Sequence, residues 1–220
     1  MRPLSELINT DEPAWPEVQE WIAGATNSVE VLPVNEADRA AALLAIQVTT
    51  RSPMGAIVYE TGGLLIDHGW LRILGSGHSR LPRSLASWNE GRTMFGDEQP
   101  PGYLLVADDV LGGFFAINGG SLGPEQGSVF YFAPGTAEWE CLDFSYSQFI
   151  FWCLQGNIAG FYENVRWPGW EQEISTLGGD QAIFVFPFLF TKTKPIREPI
   201  AERQRRVAPI SELFSFFVSG

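Results

Sequence analysis

The sequence is poor in the residues that announce reactive chemistry or a covalent scaffold. Its 220 residues include two cysteines and two histidines. Cys141 and Cys153 are too few for a disulfide framework in a chain this long, and both sit in apolar stretches that suit buried thiols. Burial of Cys153 within the run Phe149 to Leu154 raises a thiol pKa and argues against a nucleophile. Long hydrophobic runs are missing too. Phe144 to Leu154 and Ala182 to Phe190 are too short to cross a bilayer, so no membrane partner is expected. The first twelve residues turn acidic before any apolar run forms, which excludes an ordinary secretory signal and makes the cytoplasm the expected location.

Positive charge is scarce. Lys and Arg total 14 against 26 Asp and Glu, for a net charge of −12. The imbalance concentrates between Asp97 and Asp180, where twelve acids face one base, Arg166. The bases collect in two other places: Arg72, Arg80, Arg83 and Arg92, then Lys192, Lys194, Arg197, Arg203, Arg205 and Arg206. Such a field repels phosphate backbones and attracts basic proteins, so no nucleic-acid partner is expected. Solubility alone also accounts for the charge.

What the chain does have is a large apolar fraction, 45%, with 13% aromatics. That supplies one sizeable core and excludes disorder. The expected fold is α+β, a single compact domain over 1–220, with a central antiparallel sheet and helices packed on one side. Residues 1–50 read as helical, 51–190 as sheet-rich, and 191–220 as a basic segment with a terminal amphipathic piece.

Thr10 or Asp11 can cap a helix carrying Trp15, Val18 and Ile22 on one face, and Asn35 can cap a second. Ser28 to Val34 alternates like a strand. Ala56 to Tyr59 and Leu64 to Ile66 read as two strands joined by a turn at Glu60 to Gly63. Gly75 to Gly96 reads as a loop. Tyr103 to Ala107, Phe114 to Asn118 and Val129 to Phe132 form an expected meander, with Asp108 and Asp109 starting the first turn. Ser145 to Leu154 reads as a helix buried on nearly every face, and Ile183 to Phe186 as a strand. Pro3 to Ile8 and Pro209 to Phe214 share a pattern explained by a proline-started helical turn.

Four strings carry a resemblance: Ser52 to Ala56, Glu60 to Leu64, His68 to Gly75 and Ala107 to Gly113. On these the chain resembles a bacterial family catalogued only as a domain of unknown function, over most of its length. That resemblance implies no activity. More loosely, the order of strand, acidic turn, strand, aromatic strand and helix from Tyr103 to Leu154 is similar to the SUKH superfamily of immunity-type proteins. It implies a toxin-neutralising role.

Several groups are candidates for function. Asp108, Asp109, Glu138 and Glu140, with Asp143, are expected to form one acidic patch for a basic protein partner. Trp167 and Trp170 flank Pro168-Gly169 in an expected type II turn and can anchor an interface. The alternative is a small-molecule or hydrolase site in which Gly75, Gly77, His78, Arg80 and Arg83 cradle an anion, assisted by His68. The spacing of His68 and His78, with Asp67, fits no standard metal-ligand pattern, so neither metal nor cofactor is expected. The oligomeric state is left open. The leading expectation is a non-enzymatic binding protein with an acidic surface.

Overall fold

The computed structural model describes residues 1–94, 102–189 and 199–218. In chain order the elements are α1 (Leu4–Leu7), α2 (Trp15–Ala23), β1 (Val29–Pro33), α3 (Arg39–Ile46), α4 (Pro53–Glu60), β2 (Thr61–Ile66), β3 (Leu71–Leu74) and α5 (Leu85–Asn89). There follow β4 (Tyr103–Asp109), β5 (Phe114–Asn118), β6 (Val129–Ala133), β7 (Glu138–Phe144), α6 (Tyr146–Gln155), α7 (Ile158–Phe161), α8 (Trp170–Ile174), β8 (Gln181–Phe186), β9 (Gln204–Pro209) and α9 (Ile210–Phe217).

Strands β1 to β7 form one antiparallel meander in sequence order, and β8 pairs with β9 in a second, two-stranded sheet. The fold is thus α+β in one domain, with a small extra sheet that the sequence pattern did not suggest. Every residue of β2 and β3 is buried, so this part of the main sheet is covered on both faces. This is why these strands read as continuous apolar runs rather than alternating ones.

The principal core joins the helices to the sheet through residues such as Val18, Ile57, Leu64, Ile73, Phe115 and Phe149. A second cluster of Trp70, Val110, Leu111, Tyr162, Trp167 and Ile174 packs at the end of the sheet that carries the β2–β3 and β4–β5 turns. Among the described residues no helix is long and apolar enough to cross a membrane.

The meander of β4, β5 and β6 lies where the sequence places it, and Ser145 caps α6 in a capping box with Gln148. The shared pattern near the two ends is also structural: Pro3 and Pro209 each precede the first residue of a helix. Other expectations are corrected. Ala56 to Tyr59 belong to α4, not a strand. Ser52 accepts a hydrogen bond from Gly55 N–H and Pro53 holds the first position, so a helix start prevails over a short apolar run. Gly55 lets this helix lie against backbone, since a Cβ there would approach the Thr49 carbonyl oxygen to 2.1 Å.

The expected loop after Gly75 contains α5, started by a Ser84–Ser87 capping box. Neither Thr10 nor Asp11 caps α2, and α3 begins without a side-chain cap. Asn35 instead accepts from Ala37 N–H in the turn before α3. Helix α6 is not buried all round, because Phe151 is 46% exposed. The strand β7 had no place in the sequence reading. The expected basic run from Lys192 to Arg197 lies outside the described residues.

Candidate functional site

The site grows from the register of β3 on β4. Arg72 is the direct cross-strand partner of Asp108, and Leu71 of Asp109. Successive residues of a strand point to opposite faces, so the two aspartates enter different surroundings. Both are fully buried. Asp109 ends β4 and opens the β4–β5 turn as expected, its carbonyl accepting from Gly112 N–H at 3.2 Å, but being buried the two aspartates cannot share an acidic surface with Glu138 and Glu140.

Asp108 holds two arginines. Arg72 donates from Nε to Oδ1 at 2.7 Å, and Arg83 from Nη1 to Oδ2 at 2.5 Å. The same guanidiniums reach onward: Arg72 Nη1 donates to the Gln181 carbonyl at 2.6 Å and Arg83 Nη2 to the Gly179 carbonyl at 2.5 Å. A buried charge network thus fastens residues 179–181 to the main sheet. Arg83 is consequently turned inward and is not part of an anion cradle. Burial, the largest influence, lowers the Arg72 pKa.

Asp109 accepts four hydrogen bonds. Leu111 and Gly113 N–H donate to Oδ1, and the hydroxyls of Tyr131 and Tyr162 donate to Oδ2. Burial nevertheless raises its pKa above the ordinary aspartate value. A carboxyl whose folded pKa is raised binds its proton more tightly when folded. Its stabilising contribution therefore falls as pH rises from roughly 3.9 to the raised value. Urea unfolding of the parent and of Asp109→Asn should show a stability difference that shrinks across that interval and is flat above it. A difference that grows with pH would contradict this assignment.

The β2–β3 turn stands beside this network. Gly69 N–H donates to the Ile66 carbonyl at 3.1 Å, closing a four-residue turn. Its two central residues, Asp67 (φ 51°) and His68 (φ 61°), are both left-handed. Positive φ at both central positions is shared with type I′ turns, here within the four-residue loop between the paired Ile66 and Leu71. The second of the two is a histidine rather than a glycine. Three contacts hold the conformation: Asp67 N–H to the Ser28 carbonyl at 2.8 Å, His68 N–H to Ser28 Oγ at 2.9 Å, and an ion pair from Asp67 to Arg166. Arg166 lies 4.1 Å from the Trp170 ring centre and 4.7 Å from that of Trp70, and His68 meets Trp170 edge-on at 6.0 Å.

The result is a cleft of about 520 Å³. Ser28 and Glu30 at the β1 edge, the His68–Gly69 turn, Ser79 and Arg80, and residues 171–179 form its walls. Leu65, Arg72 and Val110 also line it. Gly179 N–H donates to the Arg80 carbonyl at 3.0 Å, joining two of those walls. The size falls within the range of small-molecule sites.

A model of the protein family described as protein of unknown function DUF2625 matches residues 4–213. The chain belongs to that family. Its relatives include the uncharacterized protein YbfG of Escherichia coli (strain K12), 46% identical over 214 residues, covering 97% of this chain and 94% of the relative. An uncharacterized protein of Haemophilus influenzae is 41% identical over 206 residues, covering 94% and 89% respectively. These matches confirm the first resemblance. They lend nothing to the looser SUKH likeness.

Against this DUF2625 fold the candidate residues separate. His68 and Arg80 line the cleft, with Arg80 ion-paired to Glu30. His78 and Gly77 line a neighbouring groove behind Ser79, which borders both spaces. His78 Nδ1 accepts from Arg80 N–H at 3.1 Å and stabilises its own turn. Gly75 is buried against the backbone of β2 and borders neither space. The two histidines thus serve separate spaces, and among the described residues no group of three His, Cys, Asp or Glu is placed to hold a metal.

Trp167 and Trp170 do flank a turn with Gly169 at φ 80°. They are not an exposed platform, however: Trp167 is buried with its indole N–H on Glu173 at 2.7 Å, and Trp170 is half-buried. Glu138 and Glu140 are exposed on β7. The Cys153 thiol is buried, and burial pushes its pKa well up; Cys141 is half-buried instead. Glu30, Glu171 and Arg72 were missed as site residues. Only folding brings residues 28–30, 65–72, 79–80 and 171–179 together.

Proposed function

We propose that this chain is a binding protein whose ligand is a small polar molecule held in the cleft beside the His68 turn. The observation that carries the reading is a histidine held in the left-handed region where it lines the cleft. A non-glycine residue in the left-handed region costs about 1–2 kcal/mol, and strain of this kind gathers at functional sites. Here the strained residue opens onto a cleft with charged side chains of both signs. The test is a thermal-shift panel of small metabolites on the parent and on His68→Gly. Compounds that raise the parent Tm and not that of the variant support the cleft, and a panel that shifts nothing removes it.

A second reading keeps a basic protein partner, including a toxin-neutralising role, on the outer face of β7. It is favoured by one observation: β7 is an edge strand of the main sheet, with exposed Glu138, Glu140 and Asp143. Charged side chains on an edge also serve to block unwanted pairing between sheets. A cationic partner captured at low salt by the parent and lost with Glu138→Lys/Glu140→Lys would support this reading. Capture that is indifferent to both substitutions would remove it.

A further inference from the structure

An aromatic groove lies apart from the cleft and shares no residue with it. Trp21 of α2, Phe144 of β7, and Phe151 and Trp152 of α6 line a space of about 520 Å³, with Gln148 and Gln155 also on its walls. Ring contacts tie these elements together. Trp21 meets Phe151 edge-on at 6.3 Å, and Phe144 lies 6.0 Å from Trp152. Phe151 nevertheless stays 46% exposed, next to the fully buried Ile150. A large ring left half in water against other aromatic surface has the composition of an interface anchor.

The elements that build this groove carry charge of one sign. Helix α2 contains Glu17 and Glu20, strand β7 contains Glu138, Glu140 and Asp143, and none of α2, β7 and α6 contains a lysine or arginine. All of these acids are exposed, and none makes an ion pair among the described residues. Glu17 precedes Trp21 by four residues, which puts both on one face of α2. Unpaired carboxylates beside apolar surface favour a partner that is both cationic and apolar. A second copy of this chain would set the same acids against themselves across a two-fold interface. An anionic lipid surface would be repelled.

We propose that the groove seats the apolar face of a basic amphipathic helix from a partner protein. Its large side chains pack on the Trp21, Phe151 and Trp152 rings, and its lysines or arginines face Glu17 and Glu20. Helix-in-groove recognition of this kind anchors a few apolar side chains spaced along one face. Charge speeds the encounter, and ring contact sets how long the complex lasts. This assignment rests on the basic-partner reading and adds where that partner is anchored. It is independent of the cleft beside His68.

Calorimetry on the full chain with three synthetic helical peptides tests it: one with a leucine face and a lysine face, one with glutamate in place of lysine, and one with serine in place of leucine. The leucine–lysine peptide should bind at least about tenfold more tightly than either of the others, as loss of one interface anchor implies. Phe151→Ala should weaken it by about tenfold or more. Glu17→Lys/Glu20→Lys, at exposed positions of α2 where folding is not at risk, should weaken it comparably at low salt and flatten its salt dependence. If the leucine–glutamate peptide binds as well, the charge assignment is overturned. If binding survives Phe151→Ala but is lost with Glu138→Lys/Glu140→Lys, the groove falls and the β7 reading stands. If binding is indifferent to all of these substitutions, both fall. If no peptide binds while a cationic partner is still captured through Glu138 and Glu140, the groove alone is overturned.

Discussion

Asp108→Ala should cost about 3–5 kcal/mol of folding stability, because it strips the shared carboxylate from two buried guanidiniums. Arg72 and Arg83 would keep only carbonyl acceptors, and neither can shed its proton to escape the low-dielectric interior. For a chain of this length each kcal/mol moves Tm by about 2–4 °C. The expected drop is therefore of the order of 10 °C, measurable by calorimetry or urea unfolding. The specific cause can be separated from general core damage. Replacing all three residues together with apolar ones of similar volume should recover most of the loss, since no unpaired charge then remains. A loss below about 1 kcal/mol for Asp108→Ala would mean that water reaches the arginines, and the buried charge network would be wrong.

His68→Gly should do the reverse, abolishing ligand binding with little or no loss of stability. Glycine adopts left-handed angles without the Cβ penalty, which returns about 1–2 kcal/mol. Against this stand glycine's larger unfolded-state entropy, about 0.5–1 kcal/mol, and the lost edge contact with Trp170, about 0.5–1.5 kcal/mol. The two sides nearly cancel, so Tm should stay within a few degrees of the parent. The backbone bonds to Ser28 survive, because they use main-chain N–H groups. The ligand-induced Tm shift should be lost. A variant that is markedly less stable would show that His68 is there for packing, and the argument from its strained position would lapse.

These two expectations also mark what the sequence could and could not reveal. The meander from β4 to β6 was legible because alternation and Gly-rich turns are local signals. So was α6, whose Ser145–Gln148 box is a helix start. Ala56 to Tyr59 misled because a fully buried run has no polar face to set its period, although Ser52-Pro53 gave the correct cue. The alternation in Glu138-Trp139-Glu140 is itself a strand signal, and these residues begin β7.

Asp108 and Asp109 do lead into the β4–β5 turn, but not as part of an acidic surface. A strand sends them to opposite faces, each with buried partners far off in the chain: Arg72 and Arg83 for one, Tyr131 and Tyr162 for the other. Arg83 was likewise read as a surface cation, and Arg92 lies against Trp88 at 4.1 Å rather than standing free. Of the cleft, His68 and Arg80 were singled out from local composition. Glu171 was hidden because it comes from a segment a hundred residues away, and only the Arg83–Gly179 and Arg72–Gln181 bonds bring that segment into place.

The chain has only two histidines, and they border different spaces, so proton NMR can distinguish the clefts in a single titration. With pooled small metabolites, the imidazole signal of His68 should move and that of His78 should stay. Movement of the His78 signal alone, or of neither, would contradict the placement of the ligand beside the β2–β3 turn.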